Sequence, residues 1–113
     1  MEELTEEEEQ ELVFVYWCKF KFVYTTSAVS SLEQKGYLMR FASVYRLTGL
    51  GCDYVRLIPL VRLLTITLEF VYNWTDTKRL VGLASMTDLP ELLVCENLDI
   101  RELARKRFEE LRN

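Results

Sequence analysis

The chain has no histidine. That removes the side chain that most often serves as general base and metal ligand near neutral pH, together with every nucleophile arrangement that needs an imidazole. Cysteine is sparse: Cys18, Cys52 and Cys95 form no Cys-x-x-Cys pair, so neither a zinc site nor a thioredoxin-like redox motif is offered. An odd number of thiols beside Trp17 and Val94 reads as reduced, buried cysteine in an intracellular protein. There is no Gly-x-x-x-x-Gly-Lys loop, no His-Glu-x-x-His, no EF-hand loop and no Gly-x-Ser-x-Gly. Gly49 and Gly51 lack the third glycine of a dinucleotide loop and read as a helix stop. No catalytic residue, cofactor or metal is expected.

Positive charge is also in deficit. Fourteen basic against 18 acidic residues leave a net charge of -4, which argues against the basic footprint of a nucleic-acid binder. Long uncharged apolar runs are missing. Leu12 to Tyr24 is broken by Lys19 and Lys21, and Tyr54 to Tyr72 by Arg56, Arg62 and Glu69. Neither approaches the roughly 20 apolar residues of a membrane span. The start, Met1-Glu2-Glu3-Leu4-Thr5-Glu6, is acidic where a secretory signal is basic. These features predict a cytoplasmic or otherwise intracellular protein.

What is present is a 50% hydrophobic chain of 113 residues, enough for one domain spanning 1–113. Thr5-Glu6-Glu7-Glu8 is a capping box, with glutamates at the positive end of the helix dipole. The segment that follows, Val13 to Tyr24, is β-branched and aromatic, and it alternates from Cys18 on. Propensity favours strand there, but the capped start carries a helix into it, and helix is the assignment. Ser27 to Ser31 reads as a small-residue break, with a second capping box at Ser30-Ser31-Leu32-Glu33. Leu38, Phe41, Val44 and Tyr45 then recur at helical spacing, a strand over 37–47 being the alternative. A short turn or helix is expected at 53–57.

Ile58-Pro59-Leu60-Val61-Arg62-Leu63-Leu64 and Leu89-Pro90-Glu91-Leu92-Leu93 share one pattern, a proline just inside a helix start and then leucines. In the first, Leu60, Val61, Leu64, Leu68 and Val71 form an apolar stripe opposite Arg62, Thr65, Glu69 and Asn73. Yet 65–72 also alternates as a strand does. Asn73 to Asp76 reads as a turn, Lys78 to Ala84 as a short helix, and Asp88 as the cap of the second proline helix. The last helix is capped near Asp99, with Ile100, Leu103, Ala104, Phe108 and Leu111 along one side.

These proline-led helices resemble the third helix of an armadillo or HEAT repeat, and Asn97 to Ala104 resembles the first helix of the next unit. The likeness covers residues 54–112. It departs from the family in spacing, the prolines lying 31 positions apart where such repeats usually run ~40–47. The resemblance implies an all-α fold of five or six short helices, stacked as in armadillo/HEAT proteins or packed as a compact bundle. The alternative is an α+β fold with an antiparallel sheet over 12–25, 37–48 and 64–74 and helices at the ends.

The resemblance also implies a non-enzymatic protein-interaction module, with a protein or peptide partner, or self-association, across the displayed polar faces. Candidate partner-binding residues are Arg40, Arg62, Asn73 and Trp74. Trp74 stands out as a large aromatic in a polar turn, of the kind enriched at binding hot spots, though it also fits a residue folded back over the core. Most carboxylates sit at helix starts or on the charged face of the last helix. Asp53, Glu69, Asp76 and Glu96 do not. Two other readings stand beside this one. The α+β fold would suit a small-ligand pocket. The well-capped ends, with their Glu/Arg/Lys helix faces, would suit an engineered chain with no natural partner, although three cysteines and an irregular middle argue against an idealised design.

Overall fold

Thr5 opens the first helix as the sequence requires. In the computed structural model, which describes residues 3–19, 21–22 and 26–113, α1 spans Glu6–Cys18. The Glu8 N–H donates to Thr5 Oγ1 at 3.2 Å and the Thr5 N–H donates to Glu8 Oε1 at 3.0 Å, a closed capping box. Lys19 ends the helix in the left-handed region, with φ 72°. The helix expected to run on to Tyr24 does not continue: after the left-handed Lys19 the described residues 21–22 are strand, and residues 20 and 23–25 lie outside the described residues. Strand β1 is Lys21–Phe22 and helix α2 is Ser27–Gln34, opened by Thr26. Residues 27–31 are therefore helix rather than a break, and Ser30 is interior rather than a cap.

The helix expected over 38–45 is instead a hairpin. Strands β2 (Leu38–Phe41) and β3 (Val44–Leu47) pair antiparallel, with Leu38 opposite Leu47 and Phe41 opposite Val44. β3 also pairs with β1, giving the order β1-β3-β2. Gly36, at φ +85°, stops α2 and turns the chain. Beyond it Tyr37, Leu38 and Tyr45 are buried while Met39, Arg40, Phe41 and Arg46 are exposed. Thr48-Gly49-Leu50-Gly51 does not stop a helix. It starts one: α3 spans Gly49–Leu57, and Thr48 Oγ1 accepts from the Gly51 N–H at 3.1 Å. Leu12, Val13, Val15, Val29, Leu32, Tyr37, Leu38, Tyr45, Val55 and Ile58 are buried, as α1 packs on α2, α3 and β3. These elements form one compact unit, Met1–Ile58.

A second compact unit, Pro59–Asn113, is wholly helical among its assigned elements. It holds α4 (Leu60–Glu69), α5 (Trp74–Gly82), α6 (Leu89–Leu93) and α7 (Leu98–Arg112). Pro59 caps α4 rather than lying within it, and Ile58 is extended before the proline. Leu63, Leu64, Ile66 and Thr67 are buried, a spacing of one, three and four that only a helix collects on one side. Thr65 and Thr67 donate their hydroxyls to the carbonyls of Val61 and Leu63 at 2.9 and 2.7 Å, so strand-forming residues sit in a helix with no polar group left over. The core gathers Leu64, Val81, Ala84, Leu89, Leu92, Cys95, Ile100 and Ala104. The protein is thus mostly helical, with seven helices and a small antiparallel sheet among the described residues. Long strands at 12–18 and 64–69 do not form.

Glu8 gives this fold a pH dependence. Its side chain is almost fully buried and burial by itself would raise its pKa. The Thr5 N–H, the Lys35 ammonium at 3.0 Å, the Ser31 hydroxyl at 2.9 Å and the Thr5 hydroxyl together outweigh that and lower it from 4.5 to about 2. A carboxyl whose pKa falls on folding stabilises the fold above its unfolded value. That stability is lost as pH drops from 4.5 towards 2. With the partly exposed Lys35 discounted for solvent screening, about 2 kcal/mol is at stake. Glu8→Gln is expected to lose that much in urea unfolding at neutral pH and to flatten the acid limb of the stability profile.

Candidate interaction cleft

The α4 residues Val61, Thr65 and Glu69 follow one another at steps of four and so share one side of the helix. They form one wall of a 460 Å³ cleft whose other wall is Glu91 of α6 and the connection Val94-Cys95-Glu96-Asn97. That connection is held firmly. Arg101 donates through Nε and Nη2 to the Cys95 carbonyl at 3.0 and 2.8 Å. Asn97 Oδ1 accepts from the N–H groups of Asp99 and Ile100, and Asn97 Nδ2 reaches across to Glu69 Oε1 at 3.3 Å. Asn97, not Asp99, is therefore the cap of α7.

The chemistry of the cleft is mixed. Val61 is half-buried, Cys95 is buried, and Val94 is 76% exposed. Glu69, Glu91 and Glu96 are all exposed, and none is in an ion pair among the described residues. The described residues contain no group of three or more His, Cys, Asp or Glu able to hold a metal ion, and no described helix is long and apolar enough to cross a membrane. The three thiols are free, but only Cys95 is buried. Cys52 is half-buried and Cys18 exposed, against the expectation of three buried thiols.

The residues picked from the sequence are not brought to one place. Arg40 lies on β2 in the first unit, exposed, its Nε donating to the Ala42 carbonyl. Arg62, Asn73 and Trp74 belong to the second unit. Arg62 is exposed on α4. The side chain of Asn73 is used locally: its Oδ1 caps α5 through the Asp76 N–H at 3.0 Å and its Nδ2 donates to the Asp76 carboxylate. Residues 73–76 are thus a helix start, not a free turn. Trp74 is the first residue of that helix and 40% exposed, in a stretch where Phe70 and Tyr72 are also exposed.

None of the four candidate residues lines the cleft, and sequence reasoning, which displayed Thr65 and Glu69 on a polar face, missed Val61, Glu91, Val94, Cys95, Glu96 and Asn97 as cleft residues. A signal existed for part of the site. Of the four carboxylates that no helix start or terminal helix face explains, Glu69 and Glu96 line the cleft. The other two are paired with arginines one turn on, Asp53 with Arg56 and Asp76 with Arg79. No family model, no curated protein and no solved structure matches this chain.

Proposed function

We propose that the protein is a non-enzymatic interaction module that holds a segment of a partner protein along α4, in the cleft between Val61-Thr65-Glu69 and the 94–97 connection. The observation that carries the reading is the cleft itself, which joins exposed apolar surface at Val94 to the carboxylates of Glu91 and Glu96, neither of them in an ion pair among the described residues. Its walls are set by a helix and an arginine-clamped loop, so it is formed before a partner arrives, which lowers the ordering cost of binding. The helical-repeat likeness fits the same reading. Both proline-led segments open helices, and α7 follows the second of them. Arg62 and Trp74 are proposed as flanking contacts on the same unit.

The test is selection of short random peptides on the immobilised full chain, followed by amide chemical-shift mapping of the selected sequences. Perturbations clustered on Thr65, Glu69, Cys95 and Asn97 are expected. Arg62→Ala with Trp74→Ala should weaken binding and leave helicity unchanged. A footprint that avoids the cleft would refute the assignment.

A further inference from the structure

The distribution of charge around the cleft says what kind of segment fits it. Glu69 stands on the α4 wall, and Glu91 and Glu96 stand on the opposite wall. Between them lie Val61, Val94 and Cys95. Carboxylates on both walls repel phosphate, so nucleic acid and anionic lipid are disfavoured occupants. Glu91 and Glu96 make no ion pair among the described residues, and Glu69, held through one oxygen by Asn97 Nδ2 at 3.3 Å, keeps its second oxygen, so ammonium or guanidinium groups brought from outside find an acceptor on each wall. Three like charges gathered on one small opening also steer a cationic chain towards it and penalise an acidic one. The volume of 460 Å³ lies at the small end of the range of ligand-sized clefts, room for one apolar side chain and the stems of its neighbours.

We infer that the occupant is a short cationic segment of a partner protein, with an apolar residue seated against Val61 and Val94 and a lysine or arginine on each side of it. Lysine and arginine suit the geometry because their alkyl stems lie along apolar surface while the charged heads reach the rim. The head on one side meets Glu69. The head on the other meets Glu91 and Glu96. This inference rests on the interaction reading above and adds the chemistry of the partner to it.

The probes are three: a short peptide with one leucine between lysines, the same peptide with glutamine for each lysine, and spermine. Binding to the full chain is followed by calorimetry and amide shifts. The lysine peptide is expected to bind at the cleft and to weaken as ionic strength rises. The triple variant Glu69→Gln, Glu91→Gln, Glu96→Gln should bind it about tenfold more weakly, three exposed charge pairs together being worth about that much. All three positions are exposed, and unchanged far-ultraviolet circular dichroism of the variant verifies its fold. If the glutamine peptide binds the cleft as well as the lysine peptide does, the interaction site stands and the cationic partner is refuted. If spermine matches the lysine peptide, the cleft takes a free polycation, and the peptide proposal falls. If no peptide perturbs the cleft at all, the cationic segment is refuted, and the interaction reading stands or falls on the footprint of the randomly selected peptides.

Discussion

Truncating Leu92 to alanine is expected to destabilise the second unit by about 3 kcal/mol, the range for emptying a fully buried leucine site being about 2–5 kcal/mol. Leu92 has no exposed surface and lies in the core with Leu64, Val81, Ala84, Leu89, Ile100 and Ala104. It also sits in α6, which is only five residues long. A helix that short has no stability of its own and is held by what it packs against. Two buried side chains, Leu89 and Leu92, supply that packing. The Leu92 carbonyl accepts the Cys95 N–H at 3.3 Å, so loosening α6 also loosens the 94–97 wall of the cleft. Amide hydrogen exchange should therefore speed up over 89–97, and affinity for a cleft-bound peptide should fall with it. Val94→Ala is the contrasting case. Val94 is 76% exposed, so its truncation should change stability by less than about 0.5 kcal/mol while removing apolar surface from the cleft. A stability loss at Val94 equal to that at Leu92 would mean that the core has been placed on the wrong side of α6.

The second unit was legible because its signals agree with one another. Pro59 and Pro90 each mark a helix start, Asp88 stands at the N-cap position of α6 without a capping hydrogen bond, Asn97 caps α7 two residues before the expected Asp99, and the leucines recur at helical steps. The strand alternative over 64–74 offered a competing reading, and there the buried set Leu63, Leu64, Ile66 and Thr67 follows the helical period, not the alternating one. The first unit was less legible for specific physical reasons. Ala42, at φ 54°, occupies a hairpin turn that glycine or asparagine usually fills, so no turn signal appears between Phe41 and Val44. Gly36 ends α2, and Leu38, Phe41, Val44 and Tyr45 beyond it recur at helical spacing although they lie in strands. Gly49 and Gly51 were read as a stop because glycine is common at helix ends, whereas here the cap is the preceding threonine. For the cleft, periodicity placed Thr65 and Glu69 on one displayed face of α4 but assigned Val61 to the opposite apolar stripe, whereas all three line the cleft. The opposite wall depends on a clamp by Arg101 on the Cys95 carbonyl, a contact six residues apart across a helix start, and no pattern of residue types encodes that.

Gly51 offers the sharpest test of how the first unit is assembled. A Cβ placed there would lie 2.3 Å from the Tyr37 carbonyl oxygen and 3.1 Å from Leu47 Cδ2. The carbonyl cannot easily move aside. It accepts the Thr48 N–H at 3.1 Å, and Tyr37 is itself buried, with its ring edge-to-face with Tyr54 at 5.4 Å. Helix propensity alone favours alanine over glycine by up to about 1 kcal/mol. The clash acts the other way and is larger, because overpacking against fixed backbone costs about 1–3 kcal/mol or more. Gly51→Ala is therefore expected to destabilise by about 2 kcal/mol net, with α3 pushed off the turn before β2. Gly49 lies two residues earlier in the same helix and has nothing within 4 Å of its Cβ position. Gly49→Ala should be neutral, or stabilising by a few tenths of a kcal/mol through the unfolded chain. Urea unfolding of the two variants should thus give changes of opposite sign or very unequal size. Equal changes would show that the close approach of α3 to the Tyr37 carbonyl is not what holds the hairpin and α3 together.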